Sequence, residues 1–238
     1  GRNDAGAEET MRRLAELDLT ASYLPHDVTQ ETDWERVVDG VLTDHGALNG
    51  LVNNAGVSRL KPVEKLSVSD LEFLLSINVI GMFLGIKHAM NPIAEAGGGA
   101  IVNISALNAL RGSPNATAYC MAKAGTSHLA RAAALEGRDK GVRVSSVIPG
   151  VLFEHDENEM PEPSPGAIAL FGEEGAKQFV RHHVETTPLG RLGQPRDIGN
   201  AVAFLLSDQA RHVTGAAIVV DGGRAAGEYQ HHSVASQK

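Results

Sequence analysis

The chain has 238 residues, 42% of them hydrophobic, which suits one domain with a full core and excludes a wholly disordered polypeptide. A formal charge of -8 and a pI near 5.7 argue against nucleic acid or an anionic membrane as partner, since both need a basic footprint. The single cysteine, Cys120, excludes an intrachain disulfide and a cysteine-based metal site, and the absence of an apolar span or a signal pattern sets the cytoplasm as the expected location.

Residues 7–17 put Met11, Leu14 and Leu17 on one side of a helix, residues 22–28 read as a short strand, and residues 33–45 as a second helix. Leu51-Val52 is a strand that ends at Asn53-Asn54-Ala55-Gly56. A long helix is expected over 69–96, started by Ser67-Val68-Ser69-Asp70 and stopped by Gly97-Gly98-Gly99. Residues 100–104 form the next strand, 117–139 a helix, and 142–147 a β-branched strand. The stretch 151–188 is acidic and proline-rich, helical only near 173–184, and reads as a mobile lid. A Pro195-led helix runs to Leu206, and residues 217–220 form a last strand before Asp221-Gly222-Gly223. Residues 228–238 read as a loose tail, leaving 1–227 as the domain. Strands alternating with helices indicate an α/β fold, a doubly wound parallel sheet covered on both faces.

Tyr119 and Lys123 stand four positions apart on the 117–139 helix, so their side chains share one face. An ammonium beside a phenol favours the phenolate; bringing a pKa from near 10 to about 7 takes roughly 4 kcal/mol. Such a tyrosine passes protons to and from a substrate oxygen at neutral pH. The pair is accompanied by Gly50-Leu51-Val52-Asn53-Asn54-Ala55-Gly56, by Ile77-Asn78-Val79 within a helix, and by Pro149-Gly150 after a strand. These four blocks, in this order and spacing, resemble the short-chain dehydrogenase/reductase family of Rossmann-like oxidoreductases, including its 3-oxoacyl-ACP-reductase-like members, from residue 1 to about Gly223.

The resemblance implies that Tyr119 is the general acid/base, that Lys123 lowers its pKa and contacts the nicotinamide ribose, and that Asn78 organises a proton-relay water. It places Asn54, Ala55 and Gly56 against the adenine ribose, Asp27 and Val28 at adenine, and Pro149, Gly150 and Leu152 along the nicotinamide. Arg2 falls where NADP-preferring members place a cation, so NADP(H) is favoured and NAD(H) remains possible. The implied substrate is a small-molecule carbonyl or alcohol. Members commonly pair their long helices, so a homotetramer or homodimer is expected, with apolar strips Leu74/Ile77 and Leu129/Ala133 as candidate faces.

The sequence departs from the family in three places. The strand, glycine-rich loop and helix that open the fold have no counterpart here, which leaves two readings: a unit of roughly 30 to 40 residues upstream, or a shortened member that does not hold the cofactor in the usual way. The substrate-binding serine expected thirteen residues before Tyr119 is Ala106, with Ser105 one place earlier and Asn108 or Ser113 as substitute donors. Glu154 stands where a cofactor-bonding threonine is common. A second reading therefore stays open: a catalytically impaired or inactive scaffold or binding subunit. The paired histidines 182–183 and 231–232 read as solvated, and no metal is expected.

Overall fold

The computed structural model describes residues 4–154, 160–163 and 165–227. In chain order the regular elements are α1 (Asp4–Glu16), α2 (Glu31–His45), β1 (Gly50–Asn53), α3 (Val68–Leu75), a π-turn (Ser76–Ile80) and α4 (Gly81–Glu95). There follow β2 (Gly99–Ile104), α5 (Thr117–Glu136), β3 (Val142–Pro149), α6 (Pro165–Glu185), α7 (Pro195–Leu206) and β4 (Ala217–Val220). All four strands run parallel in the order β1-β2-β3-β4, with Asn53 opposite Asn103 and Asn103 opposite Ser146.

The two central strands are buried on both faces, which is why they read as near-continuous apolar runs. Ile101, Val142 and Val144 face α4 and α5, packing on Ile86, Ala89, Ile93, Ala130 and Ala133. Val102, Ile104 and Val147 point the other way and meet Ile198 and Leu205 of α7. Successive strand residues thus serve opposite layers.

The long helical run from Val68 to Glu95 begins and ends as expected. Ser67 Oγ accepts from the Asp70 amide at 3.1 Å while Asp70 Oδ2 accepts from the Ser67 amide at 3.2 Å, a reciprocal cap. Lys61 Nζ, 2.7 Å from the same carboxylate, helps to hold the Asp70 pKa down to about 2. At the far end Gly97 and Gly98 take φ of 96° and 100°, and a Cβ on Gly98 would fall 2.6 Å from the Gly141 carbonyl. This helix is long and apolar enough to cross a membrane, and one apolar side of it packs on the sheet while Phe73, Ile80 and Phe83 stay exposed on the other.

Three expectations are corrected. Residues 22–28 form no strand and end in a turn at Val28, because β1 pairs only with β2 among the described residues and nothing else offers them a ladder. The lid helix is longer than 173–184: α6 starts at Pro165, is interrupted at Gly172 (φ 71, ψ 169), and buries Ala176 and Val180. The strips Leu74/Ile77 and Leu129/Ala133 face inward, Leu74 at 0% exposure, since α3 to α5 turn those positions toward the core. No strand–glycine loop–helix unit stands before α1 among the described residues, and the 228–238 tail lies outside them.

Candidate active site

β2 delivers the chain to the site. After Ile104, Ser105 turns inward: its Oγ donates to the Lys123 carbonyl at 2.8 Å and accepts from Ser127 Oγ at 2.9 Å. It is 3% exposed and fastens β2 to α5, so it cannot stand in for the missing hydroxyl. Ala106 follows with extended backbone and offers only a methyl group. Of the substitute donors, Asn108 Nδ2 donates to Ser113 Oγ at 3.0 Å and reaches Cys120 Sγ at 3.5 Å, beside Tyr119.

Tyr119 and Lys123 share a face of α5, with Nζ 5.8 Å from the phenol ring centroid. Lys123 is 4% exposed, and Nζ donates to the Ile104 carbonyl at 3.0 Å. Burial draws its pKa down from 10.5 to about 8. Half-buried Tyr119 moves opposite to the sequence expectation: burial, then the neighbouring Cys120, pushes the phenol up from 10. The reason is positional, since the ammonium is engaged with a carbonyl while the phenolate would lose hydration.

Asn78 sits in the π-turn, where Oδ1 accepts from the Val57 amide at 2.9 Å and Nδ2 donates to the Val57 carbonyl at 2.8 Å. Its own carbonyl accepts from Thr126 Oγ1 at 3.1 Å. The side chain thus ties the chain after Asn54-Ala55-Gly56 to the long helix. A Cβ on Gly56 would fall 3.0 Å from Asn78 Oδ1 and 3.2 Å from Lys123 Nζ, so a side chain there would press on both.

Asp27, Val28, Asn54, Ala55 and Gly56 line one cleft of about 570 Å³, joined by His26, Trp34 and Ile77. Asp27 Oδ1 closes a local turn on Thr29, while the cap position of α2 is Gln30. His26 stands edge-on to Trp34 with its buried Nε2 unpartnered. Across the sheet, Pro149 ends β3, Gly150 donates to the Val220 carbonyl at 2.9 Å, and Leu152 bridges Gly193. That parallel bridge uses the Val151 carbonyl and the Phe153 amide. Leu152's own amide and carbonyl therefore face away from it. Glu154 is exposed; Arg2 lies outside the described residues.

Sequence reasoning missed Thr126, the partner of Asn78, and His183. His183 is not solvated: its ring lies 3.9 Å from Phe179, Nδ1 meets the Phe179 carbonyl at 2.8 Å, and burial lowers its pKa to about 4. Its adjacency to His182 signalled nothing of this.

The residues present fit a dinucleotide: a lined cleft, a glycine whose bare backbone lets the chain lie close to Asn78 and Lys123, and a buried cation under a tyrosine. Known proteins agree. The profile of the family described as enoyl-(acyl carrier protein) reductase matches residues 1–225. The chain is 34% identical over 220 residues to 3-alpha-(or 20-beta)-hydroxysteroid dehydrogenase of Mycobacterium tuberculosis, covering 92% of this chain and 77% of that protein. It is 37% identical over 203 residues to cyclopentanol dehydrogenase of Comamonas sp., covering 85% of this chain and 76% of the other. The crystal structure of levodione reductase superposes with a TM-score of 0.85 at 28% identity, covering 94% of this chain and 86% of that one. With Tyr119 and Lys123 on one face of α5, Asn78 in the long helix and Asn54-Ala55-Gly56 after β1, the chain belongs to the short-chain dehydrogenase/reductase family of nicotinamide-dependent oxidoreductases.

Proposed function

We propose that the chain moves a hydride reversibly between NADP(H) and a cyclic ketone or secondary alcohol, with Tyr119 as general acid/base. The observation that carries this reading is Tyr119 standing beside a buried Lys123 where Gly56, Asn78 and the end of β2 converge. The ring-bearing alcohols named in two relatives, a hydroxysteroid and cyclopentanol, support the substrate class. The preference for NADP(H) rests on Arg2 alone.

When bound, the nicotinamide supplies the hydride in reduction and takes it in oxidation. Asn54, Ala55 and Gly56 would floor the ribose, Asp27 and Val28 the adenine, and Leu152 would offer backbone to the carboxamide. The Tyr119 phenol, raised above its ordinary range, rests protonated at neutral pH and donates that proton to the oxygen of a carbonyl under reduction. Proton transfer of this kind contributes about 10²–10⁴-fold. Lys123 faces the phenolate that results, and Asn78 holds the Val57 segment against both. Asn108 and Ser113 stand nearest to replace the absent hydroxyl.

A second reading has its own support: with Ala106 in place and Ser105 bonded inward, the site lacks the donor of an active member, as an inactive binding or scaffold subunit would. Titration with NADPH and NADH by nicotinamide fluorescence, followed by turnover of cyclopentanol and cyclohexanone, separates the two. The oxidoreductase reading expects tighter NADPH binding and a turnover that Tyr119→Phe lowers by about 10²-fold or more while cofactor binding persists. Cofactor binding without turnover would leave the inactive subunit.

The expected assembly is a homotetramer joined by the long helices. Support comes from apolar side chains that α3, the π-turn and α4 leave exposed, Phe73, Ile80 and Phe83, and from Leu135 on α5, 80% exposed.

A further inference from the structure

Between the loop after Ala106, the C-terminal end of α6 and the turn after β4 lies a group of cations that hydride transfer does not use. Arg224 follows Asp221-Gly222-Gly223, is only 9% exposed, and its buried Nε has no partner among the described residues. Arg111, exposed on the loop between Ala106 and Tyr119, donates from Nη1 to the Arg224 carbonyl at 3.1 Å. His183 approaches from α6, close enough that both guanidinium charges disfavour its protonation. The end of α6 is seated on this turn: a Cβ on Gly222 would fall 2.5 Å from Thr187 Cγ2.

Asp221 is the nearby carboxylate, and its oxygens are engaged. Oδ1 accepts from the Gly223 amide at 2.8 Å and Oδ2 from the Ala225 amide at 2.6 Å, closing the turn that presents Arg224. Its charge acts on Arg224 less strongly than the opposing charge of Arg111. A guanidinium does not discharge at any ordinary pH, and a buried cation with an unmade hydrogen bond is costly. His183 has no negative charge to offer and, kept neutral, adds no further positive charge. The cluster amounts to half of an ion pair awaiting an anion.

We propose that Arg224, with Arg111 at the rim, anchors a carboxylate carried by the substrate, which makes the physiological substrate a carboxylate-bearing ketone or alcohol. The position fits that task. Cys120 Sγ meets the Arg111 carbonyl at 3.9 Å, and Cys120 is the chain neighbour of Tyr119, so the loop that carries Arg111 rests against the helix that carries the phenol. A planar fork suits a carboxylate's two oxygens, and a single carboxylate neutralises the buried charge. This inference rests on the oxidoreductase reading for the words ketone and alcohol, but not for the anion.

The test uses the full chain and two unreactive rings, cyclohexanecarboxylate and cyclohexanecarboxamide, with binding followed by calorimetry. The wild-type protein is expected to bind the carboxylate about 10-fold or more tighter than the amide. Arg224→Met should remove that preference; Arg111→Gln, on an exposed side chain, should reduce it without disturbing the fold. In parallel, the ratio of kcat/KM for 4-oxocyclohexanecarboxylate over its methyl ester should fall in both variants. Equal binding of the two probes by the wild type, or a preference that survives both substitutions, would overturn the proposal. Carboxylate selectivity in a protein that turns over neither ketone would uphold the anchor and sink the hydride reading instead, so the two are separable.

Discussion

At position 106 a methyl group occupies the place of a donor, and its neighbour Ser105 is committed to Lys123 and Ser127. A lost oxyanion donor typically costs about 10²–10³ in rate, so Ala106→Ser should raise kcat by about 10-fold or more, with little change in cofactor affinity. Steady-state kinetics on one cyclic ketone check it; an unchanged kcat would mean that another donor, such as Asn108, already serves. Lys123 carries a second expectation. Its pKa in the fold, about 8, lies below the ordinary 10.5, so between those values the unfolded chain binds more protons than the folded one. Stability therefore rises with pH across that window, by about 3 kcal/mol at most, and the cost of the buried ammonium is fully present below pH 8. Urea unfolding at pH 7, 9 and 10 should show this rise in the wild type and a flatter profile in Lys123→Met. The four-residue spacing of Tyr119 and Lys123 was legible in sequence because helix geometry alone sets it. The direction of the phenol's pKa was not, because it depends on burial and on the carbonyl that Lys123 finds.

At the scale of elements, α4 lies so close to β1 that a side chain is excluded at Gly85. A Cβ there would run into the amide of Asn53 and come within 2.8 Å of the Trp34 ring. Gly85→Ala should accordingly lose stability by about 1–3 kcal/mol despite its better helix propensity, and denaturant midpoints will show it. A neutral or stabilising outcome would mean that α2 and α4 can part at little expense. The ends of the long helix were readable from Ser67, Asp70 and Gly97-Gly98, since caps are local chemistry. The π-turn in its middle was not. It places Asn78 toward Val57 and Thr126, partners 21 and 48 residues away, and no local signal announces contacts that distant. Nor could the sequence tell which apolar strip of α3 to α5 faces in, because both sides carry large apolar residues: Leu74 is buried while its neighbour Phe73 is exposed.

For the whole molecule, the homotetramer proposed above would cover the apolar side chains left exposed on α3 to α5. Light scattering on the purified protein should give a mass near four times 25.1 kDa, and Phe83→Glu should lower it. A monomeric wild type would remove that expectation. The doubly wound plan was visible from the alternation of apolar strands and helices, whereas the contact of Arg111 with Arg224 was not, since 113 residues separate two groups that only the closed fold brings together. The sheet has one more consequence. Every neighbouring strand pair among the described residues is parallel, so no hairpin seeds it, and the β1–β2 ladder must wait for the chain to travel from Asn53 to Gly99. Assembly of such a sheet is slow and passes through states with bare strand edges. The nascent chain is therefore most vulnerable to clumping before α4 and α5 have closed over β2, long before Tyr119 has any chemistry to do.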